Sequence, residues 1–145
     1  MRIRVLTGVS LMAAVMACGD STGVVVDDLI GSWNATKYEF VNNANSSQKA
    51  DLVAQGVSLA LTIAAGGSYS AVITNPGQEP DTTSGTIAID GNTLTIAESG
   101  QGSPTPVSFS LSGNTLTLTD PDESIDFDND GTDESATLTI VFQRI

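Results

Sequence analysis

Residues 126 to 134 read DFDNDGTDE, four Asp and one Glu in nine residues, with no Lys or Arg beside them. Asp126, Asp128 and Asp130 alternate and Gly131 follows. On a tight turn this spacing aims three carboxylates at one point, and the glycine lets the backbone bend sharply after them. Thr132 is placed to offer a backbone carbonyl, and Glu134 a further carboxylate. Hard oxygen donors of this kind suit Ca²⁺. The bland reading is an unliganded acidic turn that favours solubility and deters edge pairing.

The departures from a helix–loop–helix calcium site are plain. Its bidentate Glu at loop position twelve would fall on Thr137, and no helical pattern flanks the segment. A site here is a loop on a β-hairpin, with affinity in the range of about 10⁻⁴ to 10⁻³ M. Ca²⁺ is the only cofactor the residues suggest. The chain has no His and a single Cys, Cys18. Imidazole and thiolate sites for zinc or copper are therefore excluded, as are intrachain disulfides. So are a His-based triad and, once Cys18 is assigned below, a Cys nucleophile. No haem or nucleotide is expected, and no pair of carboxylates stands out on facing strands. The expectation is a protein that is not an enzyme. A net charge of −12 also argues against nucleic acid and against an electrostatic hold on anionic lipid.

The N-terminus carries an address. Arg2 and Arg4 precede an apolar run from Val5 to Val15, too short to cross a bilayer core that needs roughly twenty residues. Small residues then lead to Cys18, the order of a secretory signal. "VMAC", Val15 to Cys18, resembles the bacterial lipobox, in which the Cys is acylated and becomes the first mature residue. That resemblance implies a signal peptide over 1–17, a lipidated N-terminus and tether over 18–28, and a domain over 29–145. It implies an exported protein anchored to the membrane through acylated Cys18, in the bacterial envelope and at its outer membrane. Cleavage would leave three basic against seventeen acidic groups, a net charge of −14.

From residue 57 onward, apolar and polar residues alternate with period two. "TIAIDGNTLTIA" (86–97) and "SFSLSGNTLTLT" (108–119) are near repeats. Two-residue turns at Gly91-Asn92 and Gly113-Asn114 set Ile89 opposite Leu94, Ile87 opposite Ile96, Leu111 opposite Leu116 and Phe109 opposite Leu118. Moving the first turn by one residue would set Ile89 against Asn92, so turn chemistry and apolar pairing agree. A long first strand spans 31 to 41, and the last spans 136 to 142. Ser47 to Gln55, stopped by Gly56, reads as a short helix between the first two strands. The fold class is all-β: an eight-stranded up-and-down antiparallel barrel, closed because closure removes sticky edges.

"LIGSWNAT", Leu29 to Thr36, resembles the Gly-x-Trp opening of lipocalins and the wider calycin group. In that group the first-strand Trp packs under one end of the barrel against a basic residue of the last strand. The resemblance implies that Trp33 and Arg144, in "VFQRI", form that pair. It further implies an interior that holds a small hydrophobic or amphipathic ligand, lined by Leu59, Leu61, Tyr69, Ile89, Leu94, Phe109, Leu116, Leu138 and Phe142. The alternative is a solid barrel that acts through its surface as a structural or protein-interaction lipoprotein. Residues do not state an oligomeric state.

Overall fold

The computed structural model describes residues 23–145. The signal peptide, Cys18 and the first part of the tether lie outside the described residues. Among the described residues, a 3₁₀ turn at Val26–Leu29 precedes nine strands, and a second at Ala65–Gly67 joins the third to the fourth: β1 (Gly31–Asn42), β2 (Lys49–Asp51), β3 (Ser58–Ile63), β4 (Ser68–Thr74), β5 (Asp81–Asp90), β6 (Thr93–Glu98), β7 (Thr105–Ser112), β8 (Thr115–Ile125) and β9 (Glu134–Arg144). From β3 to β9 each strand pairs antiparallel with the next. β1 joins both β3 and β9, so eight strands close into a barrel and β2 lies outside the ring as a short addition to β1. The all-β, up-and-down, eight-stranded reading is what the chain adopts.

Local chemistry explains the registers. The four expected hairpin pairs, Ile87 with Ile96, Ile89 with Leu94, Phe109 with Leu118 and Leu111 with Leu116, are the observed partners. Gly91 and Gly113 have φ of 59° and 58°, while Asn92 and Asn114 do not take positive φ. Positive φ at the first central residue alone is the pattern of a type II′ turn, whose twist suits an antiparallel pair.

β1 changes parity once along its length. Its register against β9 shifts between Ala35 and Lys37, so Trp33 and Ala35 face inward before the bulge, and Tyr38 and Phe40 after it. The segment 47–55 also differs from expectation. No helix forms there. Lys49–Asp51 pairs with Glu39–Val41, and hydrogen-bonded turns carry the chain from Leu52 to Val57. The reason lies in Asp51, whose Oδ1 accepts the N–H groups of Tyr38, at 3.2 Å, and Val53, at 3.0 Å. A nine-residue helix is marginal by itself, whereas the free edge of β1 offers backbone partners at once.

Trp33 seals one end of the barrel. It is fully buried, and its indole Nε1–H donates to the Leu29 carbonyl at 2.9 Å. The Arg144 guanidinium stacks over the ring, 4.1 Å from its centroid. It also donates to the carbonyls of Ile30 and Asp28. Gly31 makes room: it has φ of 141°, and a Cβ there would lie 2.9 Å from Arg144 Nη1. The Gly-x-Trp spacing thus has a direct cause. Residues expected to be tether take part as well, since Val24 and Val26 pack on the core beside Leu29. Trp33→Ala should cost about 3–5 kcal/mol. Arg144→Ala combined with it should be non-additive by about 0.5–2 kcal/mol, measured by denaturant unfolding followed by circular dichroism. Additive losses would refute the coupling.

Candidate functional site

Alternation along β3 to β9 turns one apolar face inward, and the barrel does not fill it completely. A cavity of about 190 Å³ lies in its middle. Of the residues expected to line an interior site, Leu59, Leu61, Tyr69, Leu94, Leu116 and Phe142 do so. Ile89, Phe109 and Leu138 lie elsewhere. Phe109 is buried in the core and Ile89 packs against that core. Phe109 also borders the space at the sealed end, with Val24 and the Gly91-Asn92 turn. Leu138 borders a second cavity of about 340 Å³.

That second cavity lies toward the opposite, open end. Its wall shares Ile96, Leu118 and Ile140 with the first, so the two adjoin. Beyond those shared residues the lining turns polar. Glu98 stands two residues past Ile96 on β6 and Asp120 two past Leu118 on β8, and Tyr38, Thr105, Thr119 and Glu123 join them beside Val107 and Leu138. The β8 register shifts between Asp120 and Glu123, which pair with Leu138 and Ala136. Skipping Pro121 and Asp122 keeps both acids on the inner face. Pro in a strand is at home at such an irregularity.

These acids affect their neighbours. Burial raises the Tyr38 phenol above its ordinary pKa, and the Glu123 charge adds to the effect. Burial likewise raises Tyr69, assisted by Glu98 and opposed by the Thr83 hydroxyl. Lys37 is committed elsewhere: on the outer side of β1, it contacts Glu39 at 2.6 Å, and that hydrogen bond raises the ammonium pKa.

The acidic loop also belongs to the open end, joining β8 to β9. Oxygens of Asp126, Asp128, Asp130 and Glu134 all lie within 4.8 Å of one another. Backbone N–H groups hold these carboxylates. Asp126 accepts from Asp130 at 3.2 Å and from Gly131 at 3.0 Å. Asp128 accepts from Asp130 at 3.2 Å, and Glu134 from Phe127 at 2.8 Å. Thr132 enters through its N–H, which donates to Asp130 Oδ1 at 2.8 Å. Asn129, with φ of 60°, and Gly131, with φ of 87°, make the bends. Calcium–oxygen bonds of about 2.3–2.6 Å place ligand oxygens within roughly 5 Å of one another, so the spacing fits that ion.

The family model for the lipocalin-like domain matches residues 29–118, well over half of the 145-residue chain. The chain belongs to the lipocalin-like domain family. The match spans β1 into β8, and β9, Arg144 and the acidic loop lie beyond it. No curated protein matches the chain. Within this lipocalin-like barrel, sequence reasoning missed Tyr38, Thr83, Glu98, Asp120 and Glu123 as lining residues. Two of these had a usable signal. Leu94, Ile96 and Glu98 share one parity, as do Leu116, Leu118 and Asp120, so alternation carried two residues past the last apolar one places both acids inward.

Proposed function

We propose that this lipocalin-like chain is a lipid-anchored binding protein that holds a small hydrophobic or amphipathic molecule inside its barrel. Its work is binding rather than catalysis. The observation that carries this reading is the apolar cavity of about 190 Å³ adjoining the one of about 340 Å³, together with the family's fold. A second reading, a solid barrel acting through its surface, is favoured by the smaller volume taken alone, since ligand pockets start at about 300 Å³. A neutral fluorescent probe, N-phenyl-1-naphthylamine, separates the two. It should brighten with saturation on the wild type and fail to do so on Ala71→Phe, which fills the cavity at a cost of about 1–3 kcal/mol. No saturable signal from folded wild type would leave the surface reading.

The anchor is part of the same proposal: signal cleavage, acylation of Cys18 and residence at the bacterial outer membrane. Gly23 borders the sealed end of the barrel and follows Cys18 by five residues, a reach of at most about 18 Å. An acyl chain on Cys18 would hold the sealed end at the bilayer and point the open end away. Labelled palmitate should enter the wild type and not Cys18→Ser; equal labelling would end the anchor.

The acidic loop is proposed as a structural Ca²⁺ site held by Asp126, Asp128, Asp130 and Glu134, with the Thr132 carbonyl as a further donor. The converging carboxylates support it. A site of the expected affinity stabilises the fold by about 1.4–2.7 kcal/mol at about 10 mM Ca²⁺. The melting temperature should rise by several degrees, and Asp126→Asn with Asp128→Asn should abolish the rise. An unchanged melt, with no calorimetric binding, would remove calcium from the account.

A further inference from the structure

The two adjoining cavities differ in chemistry, and the difference points to a ligand class. The inner one is walled almost wholly by aliphatic and aromatic side chains. The outer one adds Glu98, Asp120 and Glu123. None of the three is fully exposed. Glu98 and Asp120 stand two residues beyond Ile96 and Leu118, which belong to both walls, and two residues along a strand span about 7 Å. Negative groups therefore sit one inward step above a greasy floor.

Among the described residues no cation answers them. Lys37 is bound to Glu39, Lys49 is exposed on β2 outside the ring, and Arg144 is stacked on Trp33 at the sealed end. Asp120 Oδ1 accepts the N–H of Asp122 at 3.0 Å. Glu98 and Glu123 make no side-chain hydrogen bond or ion pair among the described residues. Carboxylates drawn partly out of water and left unpaired are costly, and a cleft lined by one sign of charge within low-dielectric walls concentrates the opposite sign.

We infer that the ligand is a cationic amphiphile, its apolar chain in the inner cavity and its ammonium group among Glu98, Asp120 and Glu123. The inference rests on the binding reading above and names its ligand class. Anionic amphiphiles such as fatty acids are disfavoured by the same carboxylates. The Tyr38 ring, on the wall of the outer cavity, adds an aromatic surface that suits a cation.

The test compares three ligands with one alkyl chain: decylammonium, decanol and decanoate, each titrated calorimetrically below its micelle concentration. The protein is the chain from residue 18 carrying Cys18→Ser, because an attached acyl group would compete; the barrel closes within residues 23–145. Decylammonium should bind roughly tenfold to a hundredfold more tightly than decanol, the yield of a charged hydrogen bond, and decanoate more weakly than decanol. In Glu98→Gln/Asp120→Asn/Glu123→Gln, decanol affinity should persist while the ammonium preference disappears. If that variant does not fold, Glu98→Gln alone should lose part of the preference. Asp122→Asn/Asp133→Asn, which removes exposed charge from β8 and the neighbouring loop, should keep it. Equal binding of decylammonium and decanol by the wild type would overturn the inference and leave the binding reading intact. A preference that survives the triple variant would overturn it as well, assigning the effect to the general surface field. If none of the three binds, the binding reading itself fails and takes this inference with it.

Discussion

Everything in this molecule depends on β1 and β9 meeting. Their pairing runs from Trp33 with Arg144 to Asn42 with Ala136, so the start and the end of the domain share one seam. An open sheet of this length would present two unpaired edges and flood its apolar face. The seam is fastened where Arg144 covers Trp33, and Gly31 is the residue that lets it do so. One guanidinium thereby meets an aromatic ring and two backbone carbonyls that the 3₁₀ turn would otherwise leave without partners.

The closed barrel separates polarity along its axis. At the sealed end lie Trp33, Leu29 and the tight turns. Through the middle the inward face is aliphatic and aromatic, and at the open end it becomes acidic. Among the described residues only Asp27, Asp28 and Asp90 place acids at the sealed end, beside the 3₁₀ turn and the Gly91-Asn92 turn. Concentrating the remaining charge toward the open end keeps self-repulsion in water, where screening is effective, and away from the core. It also gives the interior a direction: an apolar floor and a charged entrance.

Much of the fold was legible because period-two alternation and Gly-Asn turns constrain each other. A slip of one residue at Gly91 would have exposed Ile87 and Ile89 together. The Trp33–Arg144 pair was legible for a different reason: LIGSWNAT resembles the lipocalin opening, and that resemblance implies a basic partner on the last strand, where Arg144 stands. The short helix over 47–55 was misread because its pattern is local, while the open edge of β1 that captures Lys49–Asp51 is not. The candidate site was legible in part. Six of the nine expected lining residues face the inner cavity. Ile89, Phe109 and Leu138 share their inward parity but sit at other heights along the axis, and a strand pattern carries parity without height. Of the entrance carboxylates, Glu98 and Asp120 are marked in the sequence by strand parity alone, and Glu123 lies behind a register shift that no local pattern encodes.

The residues alone determined which side chains lie on one face, where the hairpins turn, and which metal chemistries the inventory forbids. Those follow from bonding and sterics within a few residues of chain. Tertiary structure decided what depends on distant strands. The bulge after Ala35 turns Tyr38 inward, the irregularity at Pro121 keeps both Asp120 and Glu123 on the inner face, and eight strands leave unfilled volume between opposing walls. Inner-face geometry and free volume belong to the closed ring, because each is set by how far apart strands stand that no local pattern relates.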